Sequence, residues 1–456
     1  MILRMASPAR FPWLSVFGSI CLLANAVFAE TAVFPIKVGP TRRYLVDQSG
    51  VPFLMQADSA WSLMVALDHN EVTQYLESRQ AKGFNALVVN LIEHKFQGGD
   101  SAFLSPTNRY GQAPFLARGD FSKPNEDYFT NADWVIAQAA AKGMVVVLFP
   151  DYLGYPGSDE GWCDETLANG VEKCRQYGRY VGNRYKNSPN VIWAMYGDRN
   201  PDAAQPMVDA MAAGVQEADT NHIFTVHLQR RFIARKLLHD PPWLQLTTAY
   251  SDSQTFTACL ATYAESPVMP FFLIESIYSE TPKATGATLR AQAYWADLSG
   301  ACGQTFGNEN IWQFKRGWQK SINDEGAACM SWVKALFLSR AWYKLIPDET
   351  HTIVTSSYGK GASHVAAART SDGATLIAYL PTGGGAITVD MEKLAGPRVQ
   401  VWWFNPSSGK SSNAGVLPGT GRQEFKPPDA NDWVLVLDEL SRHFQAPGTF
   451  PFIADK

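Results

Sequence analysis

Short apolar runs alternate with longer stretches of helical periodicity between Pro52 and about Leu345. Continuous apolar strands separated by helices indicate a parallel sheet buried on both faces, and eight such units predict a closed (β/α)8 TIM barrel, an α/β fold. The eight predicted strands are Phe53–Gln56, Ala86–Asn90, Met144–Phe149, Val191–Met195, Ile223–Leu228, Leu244–Thr248, Phe271–Ile274 and Ala301–Thr305. The predicted helices are Glu71–Lys82, Asn131–Lys142, Val171–Lys186, Ala204–Ala218, Thr288–Leu298 and Ala327–Tyr343.

The pattern changes after Pro347, where helical periodicity ends and short apolar runs are separated by turns rich in Gly, Asn and Ser. Short strands at this spacing are typical of an all-β sandwich. We therefore predict a barrel domain over residues 30–346 and a small β-sandwich over 347–456, and we expect Arg42–Asp47 to close the barrel floor or to join the second domain. The predicted sandwich strands are Ala374–Leu380, Ala386–Asp390, Arg398–Phe404 and Trp433–Leu437.

The first 29 residues have the pattern of a secretory signal peptide. Basic Arg4 and Arg10 precede an apolar run from Trp13 to Ala24, and Val27-Phe28-Ala29 has small residues at the positions that a signal peptidase prefers. The alternative is a membrane anchor, but that run is shorter than the roughly 20 residues needed to span a bilayer. We expect cleavage after Ala29, a secreted or periplasmic protein, and no membrane span after cleavage.

Composition and charge narrow the classes of partner. The chain has 456 residues, 46% of them hydrophobic and 18% charged, with a net charge of −4, and this composition excludes a disordered chain. Because the charges are interspersed, there is no basic stripe for nucleic acid. No residue spacing indicates zinc, and we expect neither a metal nor a cofactor. The sequence leaves the oligomeric state open.

The cysteines carry one structural prediction. Removal of the signal peptide leaves five cysteines, an odd number. Cys163 and Cys174 lie 11 positions apart in a polar, Gly-rich stretch. Since an exported chain permits disulfides, we predict a bridge between these two.

Candidate catalytic residues are sought where the strands end, because the loops that follow barrel strands form the open face. Two apolar strands end abruptly in a carboxylate, Asp198 after the fourth and Glu275 after the seventh. Glycoside cleavage needs two carboxyl groups flanking the bond, one to protonate the leaving oxygen and one to attack the anomeric carbon or activate water. We therefore predict Asp198 and Glu275 as the catalytic pair. Asp198 has the alternatives of capping a helix near Pro201 or pairing with Arg199 or a neighbour.

Other polar and aromatic residues at strand exits are candidates for substrate binding. His227 and Tyr250 are candidates to donate to a carboxylate or sugar hydroxyl, although a lone strand-end His is often structural. Trp61 and Trp312 are candidates for a sugar-stacking wall or for packing on the barrel rim. Asp151 either binds substrate or anchors its loop. The full set is Asp58, Trp61, Asn90, Asp151, Tyr152, Arg199, Asn200, His227, Tyr250, Gln254, Tyr278, Thr305 and Trp312.

Several segments together resemble a known family. The sequence is similar to the apiosidase-like glycoside hydrolases, glycoside hydrolase family 140 and relatives, over about Arg42 to Leu437. The second domain is similar to the collagen-binding-type domain usually attached to them. The segments that carry the resemblance are Tyr44–Asp47 with Gly50–Phe53, Asp58–Trp61, Arg79–Asn85, Asn190–Asn200 with its Gly-Asp-Arg-Asn ending, and Trp342–Asp348.

The resemblance implies a retaining enzyme in which Asp198 matches the acid/base and Glu275 the nucleophile, with apiose-containing pectic side chains as substrates of characterised relatives. From residues and resemblance we expect a secreted hydrolase of a plant or bacterial polysaccharide or oligosaccharide, with a furanoside such as an apioside as one possible substrate. The alternatives are a carbohydrate- or matrix-binding protein on an inactive barrel and a transglycosylase. For the second domain we favour a structural buttress over a binding module.

Overall fold

The computed structural model of the chain describes residues 32–94, 106–158 and 160–449. Eight parallel strands form one sheet in the order β8-β7-β6-β5-β4-β11-β10-β9. These strands are β4 (Met55–Ser59), β5 (Ala86–Asn90), β6 (Val145–Phe149), β7 (Val191–Tyr196), β8 (Phe224–His227), β9 (Thr247–Tyr250), β10 (Phe271–Glu275) and β11 (Gly303–Phe306). They confirm the eight predicted barrel strands, with ends shifted by up to three residues.

The sheet closes between β8 and β9. Phe224 forms a parallel bridge with Leu244, and the backbone N–H of Leu246 donates to the carbonyl of Phe224 at 3.0 Å. Because every strand then has two neighbours, the barrel has no exposed edge. The (β/α)8 prediction is confirmed.

The helices surround the barrel. Those described are α1 (Leu63–Ala66), α2 (His69–Ala81), α3 (Glu126–Ala141), α4 (Cys163–Tyr185), α5 (Gln205–Ala218), α6 (Ala234–Leu238), α7 (Thr255–Tyr263), α8 (Gly286–Leu298) and α9 (Glu325–Leu338). The short helices α1, α6 and α7 are additional to the six predicted ones.

Local sequence explains where a helix such as α2 begins and ends. The side chain of Asp68 accepts from the N–H of Glu71 at 2.9 Å, while the Glu71 carboxylate accepts from the N–H of Asp68 at 3.0 Å, a reciprocal capping box. Beyond the other end, Gly83 adopts φ of 80°, the left-handed conformation in which glycine commonly ends a helix. The chain can then turn directly into β5.

Strand alternation separates two packing layers. On β6, Val145, Val147 and Phe149 belong to the cluster that fills the barrel. Val146 and Leu148 instead pack beneath the surrounding helices. Both faces of the strand are therefore buried, as its continuous apolar sequence predicts.

Three short strands precede the barrel: β1 (Lys37–Val38), β2 (Leu45–Val46) and β3 (Pro52–Phe53), in the order β1-β2-β3. β3 ends just before β4 begins, so this small sheet lies at the amino-terminal end of the barrel. Tyr44 packs there against Trp342, with ring centroids 6.2 Å apart. Of the two expectations for Arg42–Asp47, the structure favours the barrel floor.

The C-terminal region is an all-β domain with two antiparallel sheets. One has the order β12-β14-β15-β20-β17-β18 and the other β13-β16-β19. Apolar side chains including Val354, Leu376 and Val389 form the core of the domain. The strands are β12 (Leu345–Pro347), β13 (Val354–Ser356), β14 (Ala366–Thr370), β15 (Thr375–Leu380), β16 (Ile387–Asp390), β17 (Arg398–Asn405), β18 (Lys410–Pro418), β19 (Arg422–Phe425) and β20 (Trp433–Glu439). The predicted sandwich is confirmed.

Buried ion pairs join the two domains. Arg290 on α8 donates to both carboxylate oxygens of Asp432, each at 2.7 Å. Arg340 donates to both oxygens of Asp438, at 2.9 and 2.6 Å. Both pairs are almost fully shielded from solvent. The sandwich therefore packs against the side of the barrel that carries α8 and α9.

The predicted disulfide is wrong. Cys163 and Cys174 are buried free thiols, as are the other three cysteines among the described residues. Both lie on α4, on either side of Gly170. Gly170, with φ of 65°, interrupts the helix, and the Cys174 thiol donates to the carbonyl of Thr166 at 3.6 Å.

The predicted signal peptide, residues 1–29, lies outside the described residues. Across the ranges that are described, no helix combines the length and apolar character needed to cross a bilayer.

Candidate active site

Asp198 lies on a strained turn at the carboxyl end of β7. Tyr196, Gly197 and Asp198 all have positive φ, at 72°, 129° and 48°. Such a conformation is costly for residues with a Cβ, and it is common at functional sites. Gly197 cannot carry a side chain, because a Cβ there would lie 2.4 Å from the ring of Tyr152. The turn is thus determined by close packing, and it fixes the position of Asp198.

Glu275 reaches the barrel mouth because β10 contains a bulge. Leu273 pairs with Ala249 of β9, but Glu275 pairs with the next residue, Tyr250, so β10 has one extra residue. Simple alternation would place Glu275 with Leu273, which packs under the outer helices. A bulge redirects the following side chain, and such features are common next to active sites.

His227 at the end of β8 connects the two candidate catalytic residues. Its Nδ1 accepts from the backbone N–H of Asp198 at 2.9 Å, and its Nε2 lies 2.8 Å from Oε2 of Glu275. Because Nδ1 accepts a hydrogen bond, the ring hydrogen is on Nε2 and is donated to the carboxylate. The imidazole is fully buried. It therefore orients Glu275 and positions the backbone of Asp198 together.

Asp198 has the electrostatic environment of a general acid. Burial raises the pKa of its carboxyl and the nearby Glu275 carboxylate adds to the effect, whereas His227 and Arg230 oppose it, and the resulting pKa is about 6. A raised pKa increases the fraction of a carboxyl group that is protonated near neutral pH and so suits it to act as a general acid. The two carboxyl groups therefore differ in their surroundings in the way that acid/base chemistry requires.

Aromatic side chains form the floor around this pair. Trp61 donates from Nε1 to the hydroxyl of Tyr278 at 2.9 Å and packs edge-on against Tyr152 and His227. Trp61 is only 3% exposed, so the structure favours the packing alternative for it over a sugar-stacking wall. Trp312 is half-buried beside Tyr278 and keeps an accessible surface.

Tyr152 and Tyr250 also lie beside the carboxyl groups. Burial raises the pKa of each hydroxyl, and the charges of Asp198 and Glu275 add to the effect. The Tyr250 hydroxyl accepts from the guanidinium of Arg230 at 3.1 Å. Both tyrosines therefore remain neutral hydrogen-bonding groups at the site.

Asn90 and Thr305 are buried polar residues near the barrel mouth. Both amide atoms of Asn90 and the hydroxyl of Thr305 have no hydrogen-bond partner within the described part of the chain. Asn90 occupies the same strand face as Ala86 and Val88, whose side chains fill the barrel. Since buried polar groups are nearly always hydrogen-bonded, these two remain candidates for binding substrate or water.

The prediction that Asp58 binds substrate is corrected by the structure, because its carboxylate does not face the barrel mouth. It accepts from Nε of Arg79 and from the hydroxyl of Tyr75, each at 2.5 Å, and it is fully buried. Ala57 belongs to the cluster inside the barrel. Alternation along β4 therefore turns Asp58 outward to α2.

Asp151 and Arg199 brace loops, and the loop-anchoring alternative for Asp151 is the one that the structure favours. The Asp151 carboxylate accepts from the hydroxyl of Thr166 at 2.8 Å, and burial raises its pKa to about 6. Arg199 donates to the carbonyl of Gly154 at 3.2 Å and forms an ion pair with Asp202. Arg199 therefore does not pair with Asp198.

Asn200 and Gln254 lie at the rim. Asn200 exchanges hydrogen bonds with Gln229, at 3.0 and 3.3 Å. Gln254 is exposed and lines a separate cavity of about 400 Å³ with Phe232 and Thr257. Neither Asp198 nor Glu275 lines that cavity.

Three residues near the pair were not predicted from the sequence. The hydroxyl of Tyr155 lies 3.5 Å from Oδ2 of Asp198, the charge of Glu160 raises the pKa of that carboxyl, and Arg230 lowers it. All three are in loops, beyond the strand ends where candidates were sought. The only indication of them in the sequence is that each follows Tyr152 or His227 closely along the chain.

No group of three or more His, Cys, Asp or Glu side chains within the described ranges is arranged to hold a metal ion. A closed barrel with two carboxyl groups at the carboxyl ends of β7 and β10 is the arrangement of a glycoside hydrolase.

The sequence itself matches the family described as "Apiosidase-like, catalytic domain" over residues 40–344. The chain belongs to this apiosidase-like family and is a glycoside hydrolase. Residues 346–438 match the family described as "Putative collagen-binding domain of a collagenase". No curated protein matches the sequence.

Solved structures share the architecture. One described as a glycoside hydrolase superposes with a TM-score of 0.80 at 24% identity, covering 91% of this chain and 100% of the other. A glycoside hydrolase family 5 protein from Bacteroides vulgatus superposes with a TM-score of 0.81 at 22% identity, covering 93% and 98%. At these identities the similarity concerns the fold.

Proposed function

We propose that this protein is a secreted, retaining glycoside hydrolase that cleaves a plant or bacterial polysaccharide or oligosaccharide by double displacement. The observation that carries the proposal is the contact of one buried imidazole, His227, with both candidate catalytic residues: its Nδ1 meets the backbone of Asp198 and its Nε2 meets the carboxylate of Glu275.

In the first step, a carboxylate oxygen of Glu275 attacks the anomeric carbon. The bond to the leaving oxygen breaks, and that oxygen takes the proton of Asp198. The raised pKa of Asp198 supports its part as acid. The hydrogen bond from His227 directs the Glu275 carboxylate for attack.

In the second step, Asp198 is ionised and accepts a proton from water. The water oxygen attacks the anomeric carbon, and the bond to Glu275 breaks. Asp198 regains its proton and Glu275 its charge, so the enzyme returns to its starting state. Two displacements at one carbon restore the original anomeric configuration.

The family match supports an apioside as the first substrate to test, and arabinogalactan and bacterial-envelope glycans widen the panel. The mature protein is incubated with each glycan beside Glu275→Gln, and released sugars are separated by chromatography. Glu77→Gln is the matched control, because Glu77 lies on the surface in an exposed pair with Lys142.

We expect sugar release that falls by at least about 10³-fold in Glu275→Gln and is unchanged in Glu77→Gln. Proton NMR of the first-formed product distinguishes retention from inversion. Release that survives in Glu275→Gln contradicts the assignment of the nucleophile. Thermal stabilisation by a glycan without any release favours the alternative of a binding protein.

The pattern of residues 1–29 supports export. Amino-terminal sequencing of the exported protein tests this part, with Glu30 expected as the first residue. An intact amino terminus on an exported protein contradicts cleavage after Ala29.

A further inference from the structure

The loop between β6 and α4 is pinched at its base. The N–H of Trp162 donates to the carbonyl of Tyr152 at 2.8 Å, so the two ends of the loop meet. At this pinch, a Cβ on Gly154 would lie 2.8 Å from the nitrogen of Gly161, and a Cβ on Gly161 would lie 2.3 Å from the carbonyl oxygen of Leu153. Only glycine permits this approach, so the loop leaves and re-enters the barrel rim at one point.

The same pinch is tied to the turn that carries Asp198. The N–H of Leu153 donates to the carbonyl of Tyr196, and the N–H of Gly154 donates to that of Gly197, both at 3.2 Å. Arg199 adds a bond to the carbonyl of Gly154 at 3.2 Å. The loop and Asp198 therefore form one connected unit.

Tyr155 is the first residue beyond the pinch, and it presents an accessible aromatic ring on the Asp198 side. It is 37% exposed, whereas Tyr152 and Tyr250 are 5% and 6% exposed. Its hydroxyl donates to Oδ2 of Asp198 at 3.5 Å. Hydrogen bonds at catalytic groups are often long before substrate is bound.

The position of this ring relative to the reaction follows from the proposed function, on which the inference rests. The acid/base must lie beside the leaving oxygen, so a leaving sugar occupies the space on the Asp198 side. An exposed tyrosine there offers an apolar face for a sugar ring and a hydroxyl for a polar contact.

We propose that Tyr155 forms the binding subsite for the leaving group, a sugar unit whose ring stacks on the tyrosine, and that its hydroxyl positions the carboxyl of Asp198. When Asp198 is ionised after the first step, the hydroxyl donates to the carboxylate and stabilises it. The subsite thereby contributes to leaving-group binding and to the acid/base.

The test compares two substrates of the same glycone: the oligosaccharide that the wild type cleaves and the corresponding glycosyl fluoride, whose leaving group has no ring. Tyr155→Phe removes the hydroxyl, and Tyr155→Ala also removes the ring. Tyr180→Phe and Tyr180→Ala are the controls, because Tyr180 lies on α4 with its hydroxyl bonded to Glu126. Thermal unfolding checks that each variant is folded.

We expect Tyr155→Ala to lower kcat/KM for the oligosaccharide about tenfold or more, and to change that for the fluoride less than about threefold. Tyr155→Phe should keep KM for the oligosaccharide and move the alkaline fall of its kcat/KM to higher pH, since the Asp198 carboxylate loses a donor. A merely structural role for Tyr155 would not move the pH profile.

Equal losses on both substrates in Tyr155→Ala, or no loss on either, overturn the proposed subsite. Those outcomes leave the proposed function standing, because the wild type still cleaves. Failure of the wild type on every glycan and fluoride instead overturns the proposed function and this inference with it.

Discussion

The imidazole of His227 donates from Nε2 to Oε2 of Glu275 across 2.8 Å, although the two residues are 48 positions apart in the sequence. His227 ends β8 and Glu275 ends β10, so the contact passes over the intervening strand β9. Its tautomer is fixed by the backbone N–H of Asp198 at Nδ1. One buried ring thereby sets the geometry of both candidate catalytic residues.

We expect His227→Phe to lower kcat/KM by about 10²-fold or more, because the ring still packs against Trp61 while both hydrogen bonds are lost. Steady-state kinetics on the cleaved glycan measure this. His69→Phe is the control, since His69 stacks on Trp134 outside the site. Activity close to wild type in His227→Phe would show that Glu275 needs no such donor.

The dependence of kcat/KM on pH should reflect the protonation of Asp198. Because Asp198 must be protonated and burial raises its pKa to about 6, kcat/KM should fall as pH rises through about 6. Glu160→Gln removes a negative charge that raises this pKa, so the fall should begin at lower pH. Glu325→Gln, on the exposed side of α9, should leave the profile unchanged. A shift to higher pH in Glu160→Gln would contradict this account.

Asp58 should matter for stability and not for catalysis. Asp58→Asn leaves the guanidinium of Arg79 buried without its charged partner, which costs about 3–5 kcal/mol of the free energy of unfolding. Urea unfolding measures this, with Asp133→Asn in a more exposed pair expected to cost less than about 1 kcal/mol. We expect kcat/KM of the folded Asp58→Asn variant to match the wild type; a large loss would restore Asp58 to the binding site.

We expect the sandwich to act as a buttress for the barrel. Asp432→Asn breaks the buried pair with Arg290 on α8, and it should lower the free energy of unfolding of the whole chain by about 3–5 kcal/mol. Because Gln292 of the same helix accepts from the N–H of Ile277 at 3.1 Å, two residues after Glu275, kcat should fall as well.

The control for the domain contact is Asp372→Asn, which breaks an exposed pair with Lys344. It should change stability by less than about 1 kcal/mol. Calorimetry that shows the barrel unfolding unchanged in Asp432→Asn would indicate an independently attached module and contradict the buttress.

Part of the candidate site could be predicted from the sequence, because the position of a residue at the end of a strand was enough to place it at the barrel mouth. Asp198, His227 and Glu275 each end an apolar run, and closure of a barrel brings the carboxyl ends of its strands to one face. The same rule wrongly placed Asp58 at the barrel mouth. The end of an apolar run does not reveal which face of the strand a side chain occupies.

The sequence by itself determined the order of strands and helices, the barrel class and the change to an all-β domain, since hydrophobic periodicity and turn residues are local properties. The tertiary structure alone decided the rest. The bulge that turns Glu275 inward is a property of strand pairing, and the Gly154–Gly161 pinch that presents Tyr155 depends on two backbones meeting. Both arise from contacts that form only when the chain is folded, for which local pattern carries no signal.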